Sequence, residues 1–432
     1  MIGMAFINFY KNKLVIRYFM FLKKRFALVL LIPFLLLAGD TKFTKREINY
    51  VREGPASYYE LVEIIPKGTK LVILNQVDQW LKVKLENNKT GWISSNSLSD
   101  KNVKIDYSKK LSNPSPDGNS SMRGIAAAIK GLRQEVRIAT PGSIDALLVI
   151  QPPAIDRIER EKFRSDIQRE HSSNASPLNI EKFGLEIPEY DPSMRELQIG
   201  ISVGSRLLSR GTVENKELSK YFYQIVRELL ANSNYYDLNF LVFLLDDEKI
   251  DGFACPGGYT FLTKGAFELC ADESELAFVL GHEIAHILLK HGLKELSQQK
   301  VQIKAEDAFL ELEKDLDEEK DSVEMELEEL ILNSYEKIVH ERLLKYEVEA
   351  DKVSTLLLAS AGYDPFAGVR IDEKLARLYT EERDIFAYKY AAPNDAELRY
   401  TTLRAFVQNK FDNKNSNAKL QGRFGKFKEL VK

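Results

Sequence analysis

Apolar and polar residues alternate with a period of two in four short stretches, YYELVEII, TKLVILN, WLKVKLEN and TGWISSNSL, between residues 58 and 98. Turn-forming groups separate them: Glu53-Gly54-Pro55, Pro66-Lys67-Gly68, Asn87-Asn88 and Gly91. Short alternating strands at this spacing predict a small all-β barrel over residues 44–100. Further on the period changes to that of a helix. IDRIEREKFRSDIQRE (155–170), Glu196 to Arg210 and Glu217 to Asn232 each carry one apolar stripe among charges, which predicts three amphipathic helices. Leu238 to Leu245 and Tyr259 to Leu262 read as strands, and the sheet they make is expected to be small and antiparallel. The fold class that follows is multidomain: an all-β barrel, then a mainly α (α+β) domain.

The longest apolar run is FALVLLIPFLLLA, Phe26 to Ala38, preceded by Lys23, Lys24 and Arg25. It falls short of the roughly 20 residues that span a bilayer as a helix. With small residues at Ala38 and Gly39 it reads as a secretory signal over residues 1–39, with Met20 as an alternative start. The chain is then expected in the periplasm or cell envelope, tethered to the membrane where the signal is not cleaved.

Composition narrows the classes. A hydrophobic content of 44% excludes a wholly disordered chain, and a net charge of −3 argues against nucleic acid as a partner. Two cysteines exclude a disulfide scaffold. Cys255 and Cys270 permit one disulfide, but buried free thiols are the favoured reading. NPSPDGNSS (113–121) is a linker by composition, within a linker and helical segment spanning 101–190. Residues 306–330 hold 13 acidic and 2 basic side chains around a thin apolar stripe. They predict a charged helical insert within 298–340, either a solvated arm or a gate. Residues 406–432 form a basic tail, mobile or a short amphipathic helix. His171 and His340 read as surface residues.

The candidate chemistry lies in FVLGHEIAHILLKH, residues 278–291. His282 and His286 are four apart, so a helix puts both imidazoles on one face, about 40° from each other. That pair can take one zinc, and Glu283 beside it can reach a water on the metal, the pattern of the H-E-x-x-H peptidases. A catalytic zinc needs a third protein ligand. YEVEADKV (346–353) offers Glu347, with Asp351 on the same face four residues later. Asp351 is placed to hydrogen-bond the free nitrogen of a ligating imidazole. Glu349 points to another face and reads as solvated. His291 lies about 140° round the helix from His286 and reads as a helix-end residue.

These residues, with SAGYDP at 360–365 and DGFACPGGYTFLTKGAFELC upstream, resemble the zinc metallopeptidase family of the CAAX prenyl endopeptidases, HtpX-like, OMA-type and BepA-type proteases. The segment VREGPASYY…PKGTKLVIL…QWLKVKL…KTGWISSNSL resembles the bacterial SH3-like domain. The first resemblance implies a zincin-like domain over 191–405 and one zinc per chain, held by His282, His286 and Glu347. Glu283 would be the catalytic base and Asp351 a supporting residue. A late His-Pro of many family members is replaced here by Ala392-Pro393, with Arg399 as the matching arginine. Tyr259 and Arg399 are candidates for stabilising the oxyanion. Gly257, Gly258, Tyr259, Thr260 and Phe261 are read as a substrate strand: an edge to which an extended peptide adds, or else an ordinary hairpin strand.

The expected function is zinc-dependent endopeptidase action on envelope or misfolded proteins. The SH3-like module would dock the enzyme to an envelope protein or the cell wall. A cell-wall peptide hydrolase is the alternative within the same chemistry. A binding or chaperone-like protein with a vestigial zinc site is the alternative outside it.

Overall fold

The computed structural model describes residues 40–101, 152–170, 189–294, 341–411 without 391 and 393, and 419–431. The signal run, the 113–121 linker, His171 and the 298–340 insert with His340 lie outside the described residues.

The N-terminal sheet has seven strands: β1 Thr41–Thr44, β2 Ile48–Arg52, β3 Leu61–Pro66, β4 Lys70–Val77, β5 Trp80–Lys84, β6 Thr90–Ser94 and β7 Leu98–Ser99. Their order is β3-β2-β6-β5-β4-β1-β7. Alternation sends Val51, Leu71, Ile73, Leu81, Val83 and Ile93 to one buried face. Trp80 is buried with that layer, whereas Trp92 is half-buried on β6 opposite Lys82 and Arg52.

The second unit is mainly helical. Its helices are α1 Arg157–Glu170, α2 Met194–Leu208, α3 Lys216–Ala231, α4 Lys264–Leu269, α5 Glu273–Leu288, α6 Leu344–Ala361, α7 Ala367–Glu381, α8 Asp395–Lys410 and α9 Gln421–Lys428. The starts are written in the sequence. Ser193 and Glu196 form a reciprocal capping box on α2, Asn215 caps α3, and Asp272 Oδ1 accepts from the Glu275 N–H at the head of α5. Gly362, at φ +92°, closes α6 in the left-handed conformation.

Helix α5 is the centre of this unit, with 14 of its 16 residues buried. An all-round apolar helix is a core helix and not a surface one. It lies against α3, α6 and α7, and at its crossing with α6 the two backbones approach closely. A Cβ on Gly281 would come within 2.6 Å of Ser354 Oγ, and that hydroxyl donates to the Phe278 carbonyl at 2.7 Å. This approach lets carboxylates on α6 reach the imidazoles on α5.

Strands β8 Leu241–Leu245, β9 Gly252–Cys255 and β10 Tyr259–Thr263 make a small sheet of order β8-β10-β9. Two expectations are corrected here. The sheet is mixed, because β10 runs parallel to β8 (Tyr259↔Leu241) and antiparallel to β9 (Tyr259↔Cys255). Strand β10 is therefore the middle strand, so Tyr259, Thr260 and Phe261 lie on no edge. Gly257 and Gly258 turn the chain between β9 and β10 at φ +88° and +95°, and a Cβ on Gly258 would strike the Asn239 carbonyl oxygen at 2.4 Å. A two-residue pair, β11 Glu341–Arg342 with β12 Lys389–Tyr390, completes the strands described. Among the described residues no helix is long and apolar enough to cross a membrane.

Candidate metal centre

Helix α5 presents His282 and His286 on one face, and α6 brings Glu347 to them. His282 Nε2 and His286 Nε2 are 3.0 Å apart. Glu347 Oε2 lies 3.4 Å from the first and Glu347 Oε1 3.3 Å from the second. These are the only His, Cys, Asp or Glu side chains among the described residues that cluster closely enough to hold a metal ion.

The back of each imidazole is occupied. His282 Nδ1 is 2.8 Å from Asp351 Oδ1. A carboxylate can only accept, so Nδ1 carries the proton and Nε2 offers a lone pair to the cluster. His286 Nδ1 is 3.0 Å from His291 Nδ1, and His291 Nε2 is 3.2 Å from Glu349 Oε2. The same reasoning from Glu349 puts protons on His291 Nε2 and His286 Nδ1, which leaves His286 Nε2 bare. The two imidazole Nε2 atoms and a buried carboxylate thus face one another at 3.0–3.4 Å. Ligand atoms at about 2.0–2.2 Å from a tetrahedral zinc are spaced by about 3.3–3.6 Å, so the donor set suits such an ion in chemistry and comes close to it in span.

The charges agree. Burial would raise the Glu347 carboxyl, but Arg399 and the two imidazoles outweigh it and hold it well below the usual carboxylate range. Burial also opposes the charged form of Asp351, and Arg399 and His282 reverse that effect. Burial and Arg399 work against a charged His282, yet Asp351 and Glu347 raise it to about 9. Burial lowers His286 below its ordinary value.

Arg399, 5% exposed on α8, ties the carboxylates together. Its Nε and one NH2 donate to Asp351 at 2.8 and 2.7 Å, and the other donates to Glu347 Oε2 at 2.8 Å and Tyr390 Oη at 3.0 Å. Asp372 on α7 lies 3.4 Å from the guanidinium. Burial, above all, pushes its carboxyl well above the ordinary carboxylate range. Glu283 is buried on α5 against β9, where a Cβ on Gly252 would meet its Oε1 at 2.5 Å.

Residues 216–401 match the sequence profile of peptidase family M48, and residues 49–99 that of the bacterial SH3 domain. The chain carries a peptidase family M48 domain. Curated relatives agree over parts of it. A putative beta-barrel assembly-enhancing protease of Vibrio cholerae is 34% identical over 87 residues, 20% of this chain and 18% of that protein. The beta-barrel assembly-enhancing protease of Escherichia coli is 28% identical over 106 residues, 24% of this chain and 22% of the relative. The mitochondrial metalloendopeptidase OMA1 of Schizosaccharomyces pombe is 26% identical over 158 residues, 36% and 43% of the two chains. The match thus spans less than half the length of each relative.

Within the M48 domain the structure brings together His282, His286, Glu347, Asp351 and Arg399. It gives Arg399 other work than the expected oxyanion contact, because its donors point at Asp351, Glu347 and Tyr390. Tyr259 packs with the cluster that joins Ile199 and Val203 of α2 to Phe261 of β10, and the Gly257 N–H donates to Tyr190 Oη at 2.9 Å. Ala392 is exposed in the loop before α8, where its N–H donates to Asp395 Oδ2 at 2.9 Å. Cys255 and Cys270 are free and buried, and burial pushes both thiols up. Sequence reasoning missed Asp372 and Tyr390, which carry no local motif. It also misread His291. The helical wheel stops applying at Lys290, whose φ of +56° breaks α5 and folds His291 back to within reach of His286.

Proposed function

We propose that this chain is a zinc-dependent endopeptidase, exported to the cell envelope and acting on envelope or misfolded proteins. The observation that carries the reading is the convergence of two imidazole Nε2 atoms and a buried carboxylate within 3.0–3.4 Å. His282, His286 and Glu347 would hold the ion. A bound zinc supplies Lewis acidity to the scissile carbonyl and to the attacking water. Glu283 takes the proton released from that water and delivers it to the leaving amine, which prevents its return to the peptide bond. Asp351 fixes the tautomer and rotation of His282. Arg399 keeps Glu347 and Asp351 ionised. With β10 in the middle of its sheet, the strand suited to aligning an extended substrate is β9, whose Gly252 lies against Glu283. The names of the bacterial relatives, beta-barrel assembly-enhancing proteases, support the envelope as the setting. The SH3 domain would act as the docking module.

The SH3 domain also favours a second substrate, the peptide of the cell wall. One preparation separates the readings. Purified protein is expected to contain one zinc per chain and to hydrolyse casein, with activity lost to a chelator and restored by zinc. Glu283→Gln should retain the zinc and lose casein hydrolysis by at least about 10²-fold. Cleavage surviving in that variant defeats the assignment. Soluble peptides released from purified wall, with casein untouched, would favour the second substrate.

A further inference from the structure

We propose that His291 is a positioning residue for the metal: it accepts the Nδ1 proton of His286 and passes the anchoring on to Glu349, so that helix α6 braces both imidazole ligands from behind. The inference rests on the zinc reading above and adds a residue to it that the H-E-x-x-H pattern does not contain.

Three observations support it. First, His291 is 2% exposed although it lies beyond the end of α5. Its ring stacks on Tyr346 at 4.4 Å between centroids and 21° between planes, so its rotation is fixed by packing. Second, the proton order is forced. Glu349 accepts from His291 Nε2 at 3.2 Å, so His291 Nδ1 is a bare acceptor, and the group 3.0 Å away, His286 Nδ1, must be the donor. His286 Nε2 is then unprotonated and aimed at the cluster. Third, the arrangement parallels the one on His282, whose Nδ1 meets Asp351 Oδ1 at 2.8 Å. Glu347, Glu349 and Asp351 all belong to α6. One helix therefore supplies a ligand and both anchors, one direct and one through a second imidazole.

The parallel has a consequence for the two ligands. Asp351 places a full negative charge on the His282 proton, while His286 meets a neutral ring. His286 should be the more weakly anchored ligand and the more sensitive to loss of its partner.

His291→Phe keeps an aromatic ring over Tyr346 and removes the acceptor. His291→Asn loses the ring, but its Oδ1 can occupy the place of Nδ1 and accept the same proton. Zinc affinity is read by chelator competition, and the cobalt-substituted protein reports ligand geometry by visible absorption. Thermal midpoints of the metal-free proteins control for folding. The expected result for His291→Phe is a 10–100-fold loss of zinc affinity and a changed cobalt spectrum, with the metal-free midpoint close to wild type. His291→Asn should recover most of that affinity. Glu349→Ala, at a half-exposed site that folding tolerates, should lose affinity by a smaller factor. His291→Phe binding zinc as tightly as wild type, with an unchanged cobalt spectrum, overturns the brace while leaving the zinc site standing. If His291→Phe does not fold, unchanged affinity in Glu349→Ala overturns it. A wild-type protein that takes up no stoichiometric zinc removes this inference together with the reading beneath it.

Discussion

Arg399 shows how a single side chain can be indispensable without touching the reaction. It lies among Glu347, Asp351 and Asp372, all fully or almost fully buried. Removing one member of a buried charged group strands the others without compensation, at a cost of about 3–5 kcal/mol. Arg399→Met should lower the urea-unfolding free energy of the metal-free protein by that order, and a loss below about 1 kcal/mol would contradict the assigned role. Lysine should rescue it poorly, since one ammonium cannot serve Asp351 from two nitrogens and Glu347 from a third. At this scale the legible part of the site was the part written as local spacing. His282 with His286 and Glu347 with Asp351 are four apart, and helical geometry puts each pair on one face. Asp372, Tyr390 and the His291 contact depend on where separate elements meet, or on a left-handed residue that no periodicity announces.

Between elements, the close crossing of α5 and α6 decides whether the pairs meet at all. Gly281→Ala gains about 1 kcal/mol of helix propensity but drives a methyl into Ser354 Oγ, and overpacking of this kind costs about 1–3 kcal/mol. The variant is expected to be less stable than wild type, whereas in a Ser354→Ala background the same change should cost less. Equal effects in both backgrounds would show that the crossing is not limited there. The head of α5 gives a pH-dependent test. Burial pushes Glu275 up, but Lys374, the Ala271 N–H and Arg370 outweigh it and hold its carboxyl below the ordinary 4.5. Its contribution is therefore complete above pH 4.5 and is lost as pH falls through the lower folded value. The stability gap between wild type and Glu275→Gln should be wide at neutral pH and shrink in that acid window, and a gap that widens there would reverse the assignment. The helices α1, α2 and α3 were legible from their period, whereas α4, α7 and α8 went unread. The place of β10 was not, because a short apolar run looks the same in the middle of a sheet as at its edge.

Over the whole molecule, the order of an all-β module followed by a helical peptidase domain could be read from the change of period, from two to 3.6, along the chain. Basic residues near the C-terminus suggested either a mobile tail or a short helix. The structure shows α9 seated in the core, with Phe424 1% exposed and Phe427 stacked on Tyr221 at 3.8 Å. Arg423 donates through Nε at 2.6 Å to Glu273, the fully buried first residue of α5, which also accepts from Tyr221 and Tyr363. The end of the chain thus holds the helix that carries both histidines. Deleting residues 419–432 should lower the thermal midpoint and expose apolar surface, and Arg423→Met should reproduce most of the loss. A truncated protein of unchanged midpoint would show that α9 only decorates the domain.

The most direct test of the central claim is anomalous scattering from crystals of the zinc-loaded protein, measured on both sides of the zinc absorption edge. One strong peak is expected, bounded by His282 Nε2, His286 Nε2 and a Glu347 carboxylate oxygen, with Glu283 of α5 facing it. No peak there, or a peak coordinated by other side chains, would contradict it.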